Sequence, residues 1–276
     1  MPLDNILSEV RADMLLAFER NDFWGVDAAG RPFVAPWVAS SNLAADPDTA
    51  FTVLEVDPDS AEAIENPGIL HFVPSDGTGG GLPTFGSLLF GEQYLPVGDG
   101  YACKSVMRLG ARGNAADTAV FGFHDLANDE GSGLPGFGAY MLLTFVGGNP
   151  EADPVVPDTY SIVGAHRRAS GSGGIITTTV PGSLELGKFY KFTVAIAPVL
   201  WGIDQDPPQA IMSSQITFDV SYKEESVWSD VINVGIVSSE NPVSALVHRL
   251  MSQGLFSHVA VDVDKMEVGL NRQLVR

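Results

Sequence analysis

The chain predicts an all-β, antiparallel sandwich preceded by one N-terminal amphipathic helix, and three observations carry that fold class. In the run 190–196, Tyr190, Phe192, Val194 and Ile196 alternate with Lys191, Thr193 and Ala195, and in 216–222 Ile216, Phe218, Val220 and Tyr222 alternate with Thr217, Asp219 and Ser221. Helical periodicity is absent between the first stretch of the chain and residue 243. The 30 Gly and 18 Pro fall between short apolar runs in loops too irregular for βαβ crossovers.

The elements follow in order. Asp4 suits an N-cap, and Leu7, Val10, Met14 and Ala17 or Phe18 recur at helical spacing, so a helix is predicted over 4–20. Asn21, Asp22 and Gly25 end it. A single helix cannot bury its stripe alone, which makes Leu7, Val10, Met14 and Phe18 the candidate partner-docking face. Residues 1–45 read as helix and extended arm, and 46–276 as the sandwich domain. Strands are predicted at 51–56, 68–73, 88–95, 101–109, 118–123, 140–145, 175–180, 190–196, 216–222, 231–237 and 258–268. The runs 101–109 and 118–123 form a neighbouring pair across the turn Gly113-Asn114, and a short helix is expected at 243–253. No internal period repeats, which excludes propellers and solenoids.

Composition narrows the partners. With 15 Lys+Arg against 34 Asp+Glu in 276 residues, the formal charge is −19, so the chain has no sequence-independent attraction to a phosphate backbone or an anionic leaflet. Nucleic acid and membrane are therefore excluded as bulk partners. Hydrophobic residues at 45% and charged residues at 18% describe a globular chain. The lone Cys103 cannot close an intrachain disulfide and lies in an alternating apolar run, as a buried small hydrophobe does. No apolar run reaches the roughly 18 residues of a membrane-spanning helix, and the acidic N-terminus is no signal peptide, so synthesis in a host cytoplasm without export is expected.

The chemical motifs are few. Two Asp-Pro-Asp triplets, Asp46-Pro47-Asp48 and Asp57-Pro58-Asp59, are turn punctuation, and 128–133 only partly echoes a calcium loop. No metal site or cofactor is assigned, with Ca²⁺ kept open at these turns. No Gly-x-Ser-x-Gly elbow, His-Glu-x-x-His or cysteine pair occurs. The Gly-rich stretches lack the following helix of an anion site.

Four segments carry a resemblance: 101–109, Val120-Phe121-Gly122-Phe123-His124-Asp125, the alternating run from Gly187 with its partner 215–222, and the closing Val259-Ala260-Val261-Asp262-Val263-Asp264. In order and spacing they resemble the concanavalin A-like jelly roll, in the laminin G-like and glucanase-like form found in bacteriophage structural proteins. The resemblance covers roughly residues 68–268 and implies glycan binding, glycan hydrolysis or a structural role on a virion. Hydrolysis requires paired carboxylates. The nearest string, Asp262-Val-Asp264-Lys-Met-Glu267, departs from the glucanase pattern, and Glu267 has the opposite parity to Asp262 unless a bulge intervenes. Glycan binding would use Trp201, Asp204 and Asp206, in a turn between the two clearest strands. The reading favoured at this level is a non-enzymatic virion protein: a phage capsid decoration or head-surface protein, docked on the major capsid protein through its N-terminal arm and self-associating as a homo-oligomer. A lectin-like adsorption protein is the alternative, and a glycoside hydrolase the third.

Overall fold

The computed structural model describes residues 15–21, 37–41, 51–53, 69–72, 84–90, 100–110, 118–124, 138–168, 175–204, 209–234, 247–254 and 261–271. Among them the sixteen named elements are all β-strands, and they form two antiparallel sheets of eight strands each. The antiparallel sandwich expected from the alternation is the architecture found, and it is consistent with the jelly roll that the resemblance implies.

The first sheet runs β14 (Glu225–Val234), β13 (Gln209–Tyr222), β12 (Phe189–Asp204), β6 (Gly100–Leu109), β16 (Val261–Asn271), β4 (Leu70–Phe72) and β3 (Phe51–Val53). The far edge of β16 is shared, with β4 paired to 261–263 and β1 (Leu15–Asn21) to 266–271. The second sheet runs β10 (Ile175–Thr178), β9 (Thr159–Arg168), β8 (Gly138–Val146), β7 (Thr118–His124), β15 (Val247–Gly254), β5 (Thr84–Phe90) and β2 (Trp37–Ser41), with β11 (Gly182–Glu185) also on β9.

The core follows from strict alternation. In β6, Cys103, Ser105, Met107 and Leu109 are buried while Lys104, Val106 and Arg108 are half-buried, so one parity faces inward. The same rule sends Phe192 and Val194 of β12, Phe218 and Val220 of β13, and Phe121 and Phe123 of β7 into one shared cluster. Phe121 meets Phe192 edge-on across the two sheets, with ring centroids 6.3 Å apart. The Tyr160 hydroxyl donates to the Gly110 carbonyl at 2.9 Å, tying β9 to the end of β6. Cys103 is fully buried, and burial pushes its thiol well up, as suits an inert core residue.

The outer faces of the two sheets differ. On the second sheet, Val120, Tyr140 and Ala165 form a separate buried cluster, and burial pushes the Tyr140 phenol up to about 12 against the opposing charge of Arg167. On the first sheet the outer parity carries Lys, Asp, Thr and Ser.

Four expectations are corrected. Residues 15–20 of the predicted helix belong to β1, because the open edge of β16 supplies their hydrogen bonds; Leu7, Val10 and Met14 lie outside the described residues. The helix expected at 243–253 is overridden at 247–253, where β15 fills the space between β7 and β5. β6 and β7 are not neighbours: β6 pairs with β12 and β16, and β7 with β8 and β15, so the connection between them crosses from one sheet to the other. The run holding Trp201 and Asp204 is strand, not turn, since β12 continues to Asp204. Within the predicted arm, β1 and β2 are both built into the sandwich.

Inner-face packing is tight at Gly164, where a Cβ would stand 2.5 Å from the Phe218 ring. Gly164→Ala is expected to destabilise the fold by about 1–3 kcal/mol through overpacking. A lower denaturant midpoint with an unchanged slope would register it.

Candidate functional site

The register of the first sheet writes its outer face as cross-strand rows. One row runs Ser229, Asp219, Thr193, Lys104 and Glu267 on β14, β13, β12, β6 and β16. A second runs Ser221, Lys191, Val106 and Lys265, and a third Phe189, Arg108, Asp262 and His71. Neighbouring strands bring these side chains together although the residues are far apart in the chain.

The members of the first two rows on β14, β13 and β12, with Lys104 of β6, line an open groove of 530 Å³. Thr193, Thr217 and Ser221 form its floor, at 3%, 8% and 8% exposure despite facing outward. Lys104 and Lys191 stand on one side, and Asp219 and Glu224 on the other; Asp230 also borders the groove, but on the inward parity, in register with the core residue Phe218. The Ser226 hydroxyl donates to Asp219 Oδ1 at 2.7 Å, and Lys191 Nζ lies 3.7 Å from the exposed Glu224 carboxylate. Asp230 accepts from the backbone N–H groups of Val180 and Val231 at 3.2 and 2.7 Å. Among the described residues that line the groove there is no aromatic ring. Its chemistry is therefore hydrogen bonding, with hydroxyls that donate and accept beside fixed ammonium donors and carboxylate acceptors.

The third row is a fixed ionic cluster. Asp262 is buried, yet Arg108 Nε and Nη2 both reach its Oδ2 at 2.8 Å, and His71 Nδ1 lies 2.5 Å from its Oδ1. Burial alone would raise this carboxyl, but the hydrogen bonds from His71 and Arg108 and the Arg108 charge outweigh it and hold Asp262 below the usual carboxylate range. The Arg108 guanidinium also covers the Phe189 ring at 4.7 Å, so one face of the ring is closed by a cation. Beside it Lys265 Nζ pairs with Glu267 Oε1.

A register shift between Val263 and Lys265 makes this arrangement. It is the bulge on which the parity of Glu267 depended: Val263 and Met266 both stay in the core, so Glu267 shares the outer face with Asp262. The sequence-predicted sites fare differently. Phe18 lies on β1 opposite Gly269. Trp201 lies at a register shift in β12, and Asp204 pairs with Gln209 in the part of the hairpin beyond β6. Pro198, which has no N–H to donate, lies past the end of the β12–β6 pairing at Ile196 and Tyr101. Asp206 and the Asp-rich turns 46–48, 57–59 and 128–133 lie outside the described residues. Among the described residues, no group of three or more His, Cys, Asp or Glu side chains gathers as metal ligands.

The groove was missed as a site, although half of it was visible: the polar parities of 190–196 and 216–222 are its floor and walls. Lys104 and the His71, Arg108 and Asp262 cluster had no local signal, because their partners are remote in sequence.

No family model matches the chain, and no curated protein matches it in sequence. Solved structures do. A protein of unknown function from Shewanella oneidensis MR-1 aligns over 100% of this chain and 96% of its own, with 10% identity and a TM-score of 0.52. The carbohydrate recognition domain of Emp47p covers 95% of this chain and 99% of its own, at 12% identity and a TM-score of 0.49. An endo-β-1,4-glucuronan lyase from Trichoderma reesei covers 79% and 87%, at 14% identity and a TM-score of 0.47. These likenesses concern the fold alone. They also correct the expectation that the chain is no enzyme, since a lyase stands beside a lectin domain among the similar structures and the shared fold does not exclude catalysis.

The Asp262 cluster has a consequence for acid stability. Its carboxyl titrates lower folded than unfolded, so its stabilisation is present above the unfolded value of about 3.9 and is lost as pH falls through the folded one. Asp262→Asn is expected to lose about 2–3 kcal/mol at neutral pH, with a smaller loss of stability than the parent as pH falls below about 4. Urea unfolding at a series of pH values measures both.

Proposed function

We propose that the chain binds a linear carbohydrate across the outer face of its first sheet. The observation that carries this reading is the polar groove, where hydroxyl, ammonium and carboxylate groups recur from strand to strand on a buried threonine and serine floor. Strands are about 4.8 Å apart, close to the length of one hexose, so a glycan laid across them would meet a new strand with each sugar. Each sugar hydroxyl both donates and accepts, as the mixed lining requires. Lectin-like adsorption was the second function expected from the sequence; here the contact surface is the sheet face instead of the Trp201 segment.

Virion decoration through the N-terminal stripe gives way to this reading. Phe18, the described member of that stripe, is on a strand paired with β16 and not on a helical face.

Calorimetric titration with oligosaccharides of increasing length tests the proposal. Affinity is expected to rise with each added sugar up to about four, the number of strands the groove crosses. Lys191→Ala is expected to weaken binding about tenfold with an unchanged thermal midpoint. Binding that saturates at a single sugar, or no binding to any glycan, would sink this reading.

A further inference from the structure

We infer that the carbohydrate is an uncharged glycan, not a polyuronate or a sulfated chain; the inference rests on the carbohydrate-binding reading above. All five lysines of the chain lie in the first sheet or in turns entering its strands: Lys104 in β6, Lys191 in β12, Lys265 in β16, Lys188 before β12 and Lys223 between β13 and β14. In a chain of net charge −19 that concentration looks at first like a landing site for an anion.

The geometry argues otherwise, because most of these cations stand beside carboxylates that neutralise them. Arg108 is held on Asp262, and Lys265 on Glu267. Lys188 Nζ lies 2.8 Å from Glu185 at the end of β11, and Lys191 lies 3.7 Å from Glu224. Lys104 stands opposite Glu267 in register. Within the groove itself, two lysines face two acids, Asp219 and Glu224. A polyanion would bring one negative charge per sugar into a groove that has no net positive charge, on a chain whose overall field repels it. It would also have to compete with carboxylates already bonded to those cations. A neutral saccharide meets none of these costs. Its hydroxyls can donate to Asp219 and accept from Lys104 and Lys191 while the ion pairs remain intact.

The test is titration calorimetry of the full chain at low and high salt. One set of ligands is hexasaccharides of glucose, mannose and xylose, and the other is hexasaccharides of glucuronate and mannuronate. The expected result is binding of at least one neutral series, with a Kd changing less than about twofold between the salt conditions, since no charge on the ligand is there to be screened. A uronate that binds more tightly than every neutral ligand, and tightens further as salt is lowered, would overturn this inference while leaving carbohydrate binding in place. Failure of both sets to bind would overturn the inference together with the function it rests on.

Discussion

A single extra residue in β16 organises the first sheet. β16 lies between β6 on one side and β4 with β1 on the other, so its side-chain parity decides which groups meet on both faces. The register shift between Val263 and Lys265 leaves Val261, Val263, Met266 and Val268 in the core. Without it, the apolar residues on one side of Asp264 would turn outward, because strand parity reverses with a one-residue slip. The outer face would then lose the Asp262 contacts to Arg108 and His71, or the pairing of Glu267 with Lys265.

The contrast between the two outer faces depends on the same accounting. On the second sheet, apolar groups take the outer parity and are buried, down to the Tyr140 phenol. On the first sheet the outer parity is polar in four adjacent strands, with Thr193, Thr217 and Ser221 buried beneath it and Ser226 donating to Asp219 at its rim. The acidic character of the chain does not reach into this face as an excess of unmatched charge. Ionic groups there neutralise one another at short range, where screening by salt is weak.

Local pattern made part of this legible. The alternation at 190–196 and 216–222 foretold the two long strands and the polar faces that become the groove floor, since period two is a property of the strand itself. The segment 15–20 and the segment 247–253 were misread as helical because short apolar runs fit both periods, and only the vacancy beside β16 or between β7 and β5 decides between them. Trp201 was read as a turn residue because it lies between the two clearest alternating runs, 190–196 and 216–222. In the fold, Pro198 is accommodated past the end of β6 and Gly202 follows a register shift.

By itself the sequence determined the class of fold, the inward and outward faces of its clearest strands, and a strongly acidic balance of charge. Tertiary structure alone decided that β6 and β7 part into different sheets, that β16 carries a bulge, and that His71, Arg108 and Asp262 meet. The physical reason is range. Alternation is written within one strand, whereas a hydrogen bond between positions 71 and 262 depends on which edges are free once every other strand has paired, and no local pattern records that.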